Sequence, residues 1–325
     1  MDTLHQEWIR GEMQRFQVPG ISLGLIRGGK TRETFYLGYA DREQEKEVTE
    51  QTLYEAASLT KPLFAYYVLE LERKGLLTTE TKLAAQLPEY PVCKDPGADR
   101  ITVLHTLTHS AGLENWGEKP LRLLGRPGEK FRYSGEGYRY LQAYVEKLCQ
   151  DTLDNLFARE VFPVLGMRTS ALRYYDVSCE NMAKCYDAIG AQQMDRYQIR
   201  ELDREPNAAY SLYTNLEDYC SFLETLWKER DLLGKMTRTR MAASSPAGKL
   251  YWGAGAGVWL GRERMLWHYG DNGNFKNLLY LGVDTGDGLV YFSNSYHGLR
   301  VGFAIAEKVF GEDYGELETF AAKWE

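Results

Sequence analysis

The spacing of hydrophobic positions changes several times along the chain. The first segment has apolar residues at helical spacing, namely Trp8, Ile9, Met13 and Phe16. It predicts a helix that ends at the Val-Pro-Gly stretch of residues 18–20. Residues 21–26 are apolar, residues 27–30 have the composition of a turn, and residues 31–37 alternate between polar and apolar. A β-hairpin is therefore predicted directly after the helix.

Helical spacing dominates the middle of the chain, and strand-like runs return near its end. Residues from about 58 to 226 are predicted to be mostly helical, with loops around 88–96, 111–128 and 169–206. Apolar runs after Pro246 predict four strands: 257–260, 265–269, 275–281 and 288–292. A last helix is predicted over 301–310. This order indicates a sheet assembled from both chain ends, with a helical lobe inserted between them.

Length and charge limit the possible classes of protein. The chain has 325 residues, of which 44% are hydrophobic and 26% are charged, as is typical of soluble globular proteins. We expect a single domain over residues 1–325, with an α/β lobe at about 1–57 and 245–325 and a mainly helical lobe at about 58–244. The net charge is −7 without a basic stripe, so nucleic acid is not an expected partner.

The five cysteines are scattered and form no C-x-x-C pair, which favours reduced thiols over a disulfide framework. The first residues lack a basic region followed by an apolar run, so no signal peptide is predicted. No apolar run approaches the length that spans a bilayer. These features predict a cytoplasmic protein without membrane association.

The segment Ser58-Leu59-Thr60-Lys61 combines a nucleophile with an amine that can activate it. An apolar run follows at residues 63–71 and Gly75 ends it, which predicts a buried helix beginning near Ser58. Positions three apart share one helix face, so the Lys61 ammonium group can reach the Ser58 hydroxyl group. The positive end of the helix dipole would also favour an anionic oxygen there.

Three other patterns suggest chemistry but fit structural roles better. Residues 20–24 match the nucleophile elbow G-x-S-x-G, yet Ser22 would lie inside a hairpin strand and not on a turn. His105 and His109 have the spacing of two metal ligands on a helix, but their apolar neighbours indicate a packed helix without metal. The glycines of residues 253–257 lack a following Lys-Ser/Thr pair, so a turn or close backbone packing is preferred over a phosphate cradle.

Two further side chains lie where a cleft could form. Tyr133 lies on a Gly-rich bend before an amphipathic helix, so its side chain can project from a rigid frame. His268-Tyr269-Gly270 ends one of the predicted strands, where a glycine lets a substrate approach the backbone closely. Taken singly, the tyrosine and the histidine are each better explained by packing.

Three short motifs, taken together and in order, resemble those of the penicillin-recognising serine hydrolases: Ser58-x-x-Lys61, Tyr133-Ser134-Gly135 and His268-Tyr269-Gly270. This family includes class C β-lactamases, DD-peptidases and β-lactamase-like esterases. The resemblance extends over nearly the whole chain, including residues 18–22, 101–113, 162–167 and 209–218. It implies an α+β fold, with an antiparallel sheet built from both chain ends, flanked by helices, and an inserted all-helical lobe. The active site would lie between the lobes.

The resemblance also implies acyl transfer through a covalent ester on Ser58, without cofactor or metal. Lys61 or Tyr133 would take the serine proton, and the sequence leaves the choice open because groups in contact titrate together. A lysine has a reference pKa of ~10.4, so its pKa must fall by roughly three units to supply a neutral amine near neutral pH. Backbone N–H groups of Ser58 and Asp271, next to Gly270, would hold the oxyanion.

Two positions depart from the family pattern. Gly135 stands where the second motif often has an asparagine, whose amide binds a substrate amide. His268 stands where the third motif often has a lysine, and imidazole is largely neutral at pH 7. Both changes weaken recognition of an amide that carries a carboxylate, and Asp271 would further disfavour anionic substrates. The favoured hypothesis is therefore an esterase-like hydrolase of a small acyl substrate.

Two alternatives remain open at this point. One is a peptidase or β-lactamase in which Asn272, Asn274 or Asn277 supplies the missing amide. The other is a catalytically inactive relative that binds a ligand, which the changes at Gly135 and His268 would explain. The sequence predicts no oligomeric state.

Overall fold

A computed structural model describes residues 5–118, 120–193, 205–238, 241–243 and 248–323. The strands in these residues are β1 Gly20–Arg27, β2 Lys30–Asp41, β3 Lys46–Glu47, β4 Tyr54–Ala57, β5 Leu212–Thr214, β6 Met241–Ala242, β7 Leu250–Trp252, β8 Gly257–Leu260, β9 Arg264–Asp271, β10 Lys276–Gly282 and β11 Gly288–Ser293. Nine of them form one antiparallel sheet in the order β3-β2-β1-β11-β10-β9-β8-β7-β6 within this part of the chain. Strands β4 and β5 form a separate antiparallel pair.

The α-helices of the described residues are α1 Gln6–Arg15, α2 Thr60–Arg73, α3 Leu83–Gln86, α4 Val103–Leu107, α5 Gly135–Cys149, α6 Leu153–Leu156, α7 Phe162–Leu165, α8 Leu216–Lys228, α9 Arg230–Arg238, α10 Gly298–Phe310 and α11 Gly315–Ala322. Those from α2 to α9 lie in sequence between the amino-terminal and carboxy-terminal strands of the large sheet. Among the helices described, none is both long enough and apolar enough to cross a membrane.

Helices cover both faces of the sheet, which explains why its central strands are apolar at consecutive positions. In β10, Leu278 and Tyr280 belong to a core that includes residues of α1, α10 and α11. Leu279 and Leu281, which alternate with them, belong to the core shared with α2, α5 and α8. The strand is therefore buried along its whole length.

The predicted α+β fold and the predicted hairpin are confirmed. Strands β1 and β2 pair antiparallel and turn at Gly28 and Gly29, whose φ angles of 55° and 71° suit a two-residue turn. Ser22 lies inside β1, is buried, and its hydroxyl group is 3.0 Å from that of Tyr54. The structural interpretation of this serine is therefore also confirmed.

The four predicted carboxy-terminal strands are confirmed, with ends that differ by up to two residues, and the helix predicted over 301–310 begins earlier, at Gly298. The short strands β3 to β7 and helix α11 were not predicted. Strand β4 escapes detection because Glu55 interrupts its apolar pattern. This glutamate is nonetheless buried, and its Oε2 atom accepts a hydrogen bond of 2.7 Å from Asn272 Nδ2.

Gly255 holds the turn between β7 and β8 against helix α2. Its backbone has a φ of 95°, and its N–H donates a 3.0 Å hydrogen bond to the carbonyl of Leu107. A Cβ atom at this position would lie 2.1 Å from Ala65 Cβ. The glycine-rich stretch at residues 253–257 thus provides close backbone packing, one of the two roles preferred from the sequence.

We expect Gly255→Ala to destabilise the protein by at least about 3 kcal/mol, because left-handed backbone and the clash with Ala65 both oppose a Cβ atom. Gly75→Ala is the matched control, since Gly75 has a φ of 74° and a Cβ there would meet nothing within 4 Å. Its expected loss is about 1–2 kcal/mol from backbone strain alone. Urea unfolding followed by tryptophan fluorescence measures both, and equal losses would contradict the tight contact with α2.

Candidate active site

Ser58 lies in the turn that joins strand β4 to helix α2. The strand ends at Ala57, a buried residue with a left-handed φ of 51°, a conformation that alanine rarely adopts. Thr60 fixes this turn: its hydroxyl group donates to the Ala57 carbonyl at 2.6 Å and accepts from the Leu212 amide at 3.0 Å. The serine side chain is thereby held at the wall of a cleft.

Lys61 lies in the first turn of α2, and only 1% of its surface is exposed. Its Nζ atom lies 2.9 Å from Ser58 Oγ and donates a 2.7 Å hydrogen bond to the carbonyl oxygen of Ala209. Burial lowers the pKa of Lys61 well below its ordinary value, because the charged form loses its hydration. The sequence prediction that the amine reaches the hydroxyl group is confirmed by this geometry.

Tyr133 approaches the same serine from the segment before helix α5. Burial raises the pKa of Tyr133 far above its ordinary value. A hydrogen bond with the Ser58 side chain opposes this change in the pKa of Tyr133, and the negative charge of Asp271 adds to it. Nζ of Lys61 lies 4.8 Å from the centre of the tyrosine ring. The structure thus brings Ser58, Lys61 and Tyr133 together.

His109 holds the backbone on both sides of Tyr133. Its carbonyl accepts a 2.6 Å hydrogen bond from the Arg132 amide, and its Nδ1 atom accepts a 3.0 Å hydrogen bond from the Ser134 amide. The centres of the His109 and Tyr133 rings are 4.2 Å apart. Because Nδ1 acts as an acceptor, the imidazole is neutral, and burial keeps the pKa of His109 well below its ordinary value.

His105, four residues earlier, has a different role. Its backbone amide and its Nδ1 atom both bond with Thr102 in a capping box at the start of α4, whereas His109 packs against Tyr133. Among the residues that the structure describes, no group of three or more His, Cys, Asp or Glu side chains could hold a metal ion.

His268 lies on β9, fully buried, with its ring centre 6.3 Å from that of Tyr133. Its Nδ1 atom is 2.6 Å from the carbonyl oxygen of Tyr269. Burial, assisted by the charge of Lys61, lowers the pKa of His268 to about 3. We expected this imidazole to contact substrate, but His268 does not line the cleft. It packs behind Tyr133 as a neutral group.

Gly270 permits a close approach to the backbone, as expected. The group that approaches is the neighbouring strand β4 and not a substrate. A Cβ atom there would lie 2.3 Å from the carbonyl oxygen of Ala56 and 3.0 Å from Asn277 Nδ2. The missing side chain therefore lets β9 pass directly beside β4, the strand that leads to Ser58. This contact brings the next residue, Asp271, to the cleft wall.

Gly135 begins helix α5, and Trp116 occupies the space beside it. A Cβ atom on Gly135 would lie 2.3 Å from Cη2 of this tryptophan. The indole is half-exposed and meets the ring of Tyr210 edge-on, with ring centres 5.6 Å apart. Asn115 accepts a 2.9 Å hydrogen bond from the Gly135 amide through Oδ1, which leaves its Nδ2 group unused by that contact.

The cleft has a volume of about 950 Å³. Its lining includes Asn115, Trp116 and Lys276, none of which the sequence analysis selected as a site residue. Lys276 lies inside a predicted strand, and the other two lie in a predicted loop, so only their side-chain directions reveal them. Three asparagines were proposed to replace the amide that Gly135 lacks. Asn272 lines the cleft, and its side chain donates a hydrogen bond to the Glu55 carboxylate. Asn277 is buried and donates to the Glu55 backbone carbonyl, whereas Asn274 does not line the cleft.

Comparisons with known proteins agree with this architecture. A family model described as Beta-lactamase matches residues 5–311. Protein flp of Staphylococcus aureus (strain NCTC 8325 / PS 47) is 21% identical over 308 residues, which cover 88% of this chain and 61% of that protein. The chain thus spans about three fifths of the length of the first curated relatives that it matches.

Solved structures with the same fold include hydrolases of different kinds. EstCE1, a hydrolase with promiscuous acyltransferase activity, has a TM-score of 0.77 and 19% identity, covering 90% of this chain and 94% of that one. The Beta-Lactamase/D-Alanine Carboxypeptidase from Pseudomonas syringae has a TM-score of 0.81 and 15% identity, covering 94% and 97%. With the family match over most of its length, the chain belongs to the beta-lactamase family, within the superfamily of penicillin-recognising serine hydrolases.

Proposed function

We propose that the protein is a serine hydrolase that works through a covalent acyl-enzyme on Ser58 and acts chiefly on small esters. The observation that carries this proposal is the 2.9 Å distance between Lys61 Nζ and Ser58 Oγ in a site where the lysine is fully buried. The hydrogen bond between Ser58 and Tyr133 adds a second proton-carrying group.

Lys61 is the proposed base. Burial lowers the pKa of Lys61, which favours the neutral amine, and raises the pKa of Tyr133, which favours the neutral phenol. A neutral amine has one lone pair to accept the serine proton and still donates one N–H to the Ala209 carbonyl. The Oγ atom of Ser58 then attacks the ester carbon, and a tetrahedral oxyanion forms.

The remaining steps need an oxyanion site and a proton donor. We assign the backbone N–H groups of Ser58 and Asp271 to the oxyanion, where one such donor is worth about 3 kcal/mol in comparable hydrolases. Tyr133 is protonated until this point and gives its proton to the leaving alkoxide, which makes it a phenolate. In the second half of the reaction the Tyr133 phenolate takes a proton from water, and the resulting hydroxide attacks the acyl-enzyme. The Lys61 ammonium group then returns its proton to Ser58 Oγ as the acid leaves.

The second motif, Tyr133-Ser134-Gly135, favours esters over amides as substrates. Gly135 has no side chain to bind a substrate amide, and the apolar indole of Trp116 covers the space beside it. The cleft lining beside Gly135 is therefore an aromatic ring and not an amide side chain. The similarity to EstCE1, a hydrolase, is consistent with this assignment.

A peptidase or β-lactamase activity is the second candidate, and Asn115 is the observation in its favour. Its Nδ2 group can replace the amide that Gly135 lacks. A relative described as a β-lactamase/D-alanine carboxypeptidase has the same fold. An inactive ligand-binding protein is disfavoured, because it would have no need for a buried amine beside a serine hydroxyl group.

We expect an activated-serine phosphonate to label the wild-type protein at Ser58 and to leave Ser58→Ala unlabelled, since the neutral amine activates this hydroxyl group alone. Ser22→Ala serves as the control and should be labelled normally, because Ser22 is buried in β1. Intact-protein mass spectrometry measures the adduct. Labelling at Ser22 or at neither serine would refute the proposed nucleophile. A separate assay compares a chromogenic β-lactam with short aryl esters, and faster turnover of the β-lactam would favour the peptidase or β-lactamase activity.

The pH dependence of kcat/KM for an aryl ester should show one rising limb. Lys61 must be neutral to act, so activity is lost as pH falls through the pKa of Lys61, which burial places well below its ordinary value. The pKa of His268, about 3, and the raised pKa of Tyr133 leave both groups neutral between pH ~5 and ~9.

Lys61→Arg should lose this limb and reduce kcat about 10²–10⁴-fold, because a guanidinium group stays charged. Stopped assays across the pH range measure both proteins. A limb with the same midpoint in the variant would assign it to another group.

Gly135→Ala should raise KM for an aryl ester about threefold to tenfold, because the added Cβ displaces the Trp116 indole from the cleft wall. The melting temperature should change by only a few degrees, since the ring is half-exposed and can move. Gly137→Ala, two residues further along the same helix turn, is the control because its Cβ would meet Ser134 Oγ at an ordinary 3.5 Å. Steady-state kinetics test this, and equal effects of the two variants would contradict it.

A further inference from the structure

Lys276 is a buried cation at the wall of the cleft. Only 1% of its side chain is exposed, yet it belongs to the lining together with Asp271. Its Nζ atom also lies 4.9 Å from the centre of the Tyr296 ring. An ammonium group buried to this degree requires an opposite charge nearby, because desolvation of an unpaired ion is costly.

Asp271 supplies that charge. The two residues face each other in the antiparallel register of β9 and β10, and Oδ2 of the aspartate lies 2.7 Å from Nζ of the lysine. Its Oδ1 atom accepts a 2.7 Å hydrogen bond from the Gly273 amide. Both carboxylate oxygens are therefore held, and the carboxylate is fixed in one position.

The pair also lies close to the reacting groups. Asp271 and Tyr133 both line the cleft, and the negative charge of Asp271 raises the pKa of Tyr133. A substrate that carried its own carboxylate next to the scissile bond would find Lys276 already paired with Asp271. Like charges would repel there, and the cation would be occupied.

We propose that Asp271 determines substrate specificity by occupying, as a built-in carboxylate, the position at Lys276 that a carboxylate of the substrate would otherwise take. The pair makes this wall neutral, and the site selects acyl substrates that carry no charge near the scissile carbonyl. The inference deepens the proposed ester hydrolysis and rests on it. Removing Asp271 while keeping Lys276 should turn the wall into a carboxylate-binding site.

The experiment compares matched esters that differ only in one carboxylate. Mono-4-nitrophenyl adipate is paired with 4-nitrophenyl hexanoate, and 3-carboxyphenyl butanoate with 3-carbamoylphenyl butanoate, so the charge is placed on either side of the scissile bond. For each pair, the ratio of kcat/KM for the anionic ester to that for the neutral ester is measured. Asp271→Ala should raise this ratio about tenfold or more in at least one pair, as expected for one new charged contact.

Two controls separate this mechanism from a general effect of charge. Asp284→Ala removes the same charge from an exposed aspartate, 69% exposed beside Arg264, and should leave the ratio unchanged. The double variant Asp271→Ala/Lys276→Met should lose the gain. A ratio that changes less than about threefold in Asp271→Ala, or a gain that persists without Lys276, would overturn the proposal.

Failure of the proposed hydrolysis is distinguished by a binding measurement. In a Ser58→Ala background, titration calorimetry with mono-4-nitrophenyl adipate and 3-carboxyphenyl butanoate needs no turnover. Addition of Asp271→Ala should tighten the binding of one of these anionic esters about tenfold, and unchanged affinity for both would refute the inference even in an inactive protein. If Asp271→Ala does not fold, Asp271→Asn retains the shape without the charge and is held to the same outcomes.

Discussion

Burial of the Lys61 amine beside the Ser58 hydroxyl group is the constraint on which the rest of the structure depends. The same loss of hydration lowers the pKa of Lys61, His109 and His268 and raises the pKa of Tyr133. Each of these four groups is driven towards its neutral form. A crowded polar site can therefore exist inside the protein without a cluster of unpaired charges.

Such burial requires that two parts of the chain close over α2. The segment that contains Ala209 supplies the carbonyl that accepts a hydrogen bond from the amine, and the turn at Gly255 packs against the backbone of the same helix. A buried lysine lowers stability, and active sites commonly accept that cost in exchange for reactivity. Two extensive apolar cores on either side of the sheet offset it here.

Sequence patterns predicted the parts of this arrangement that depend on local spacing. The contact between Ser58 and Lys61 follows from their spacing of three residues across the turn that opens α2, and the hairpin follows from Gly28 and Gly29. Trp116 and Lys276 could not be found in this way, because the spacing of residues in a loop or a buried strand does not reveal which side chains point into the cleft. Strand β4 was missed because the buried Glu55 resembles an exposed residue until its partner Asn272, 217 positions later, is known.

The charge at the cleft wall shows why motif positions alone misjudge specificity. The imidazole of His268 occupies the motif position but lies outside the cleft lining, whereas an ammonium group enters that lining from the neighbouring strand at Lys276. What matters for a substrate is the sum of charges on the surface that it touches, and adjacent strands contribute to that surface equally. Because Asp271 comes from β9 and Lys276 from β10, a change on either strand alters the same wall, so the two positions are expected to act on selectivity as one unit.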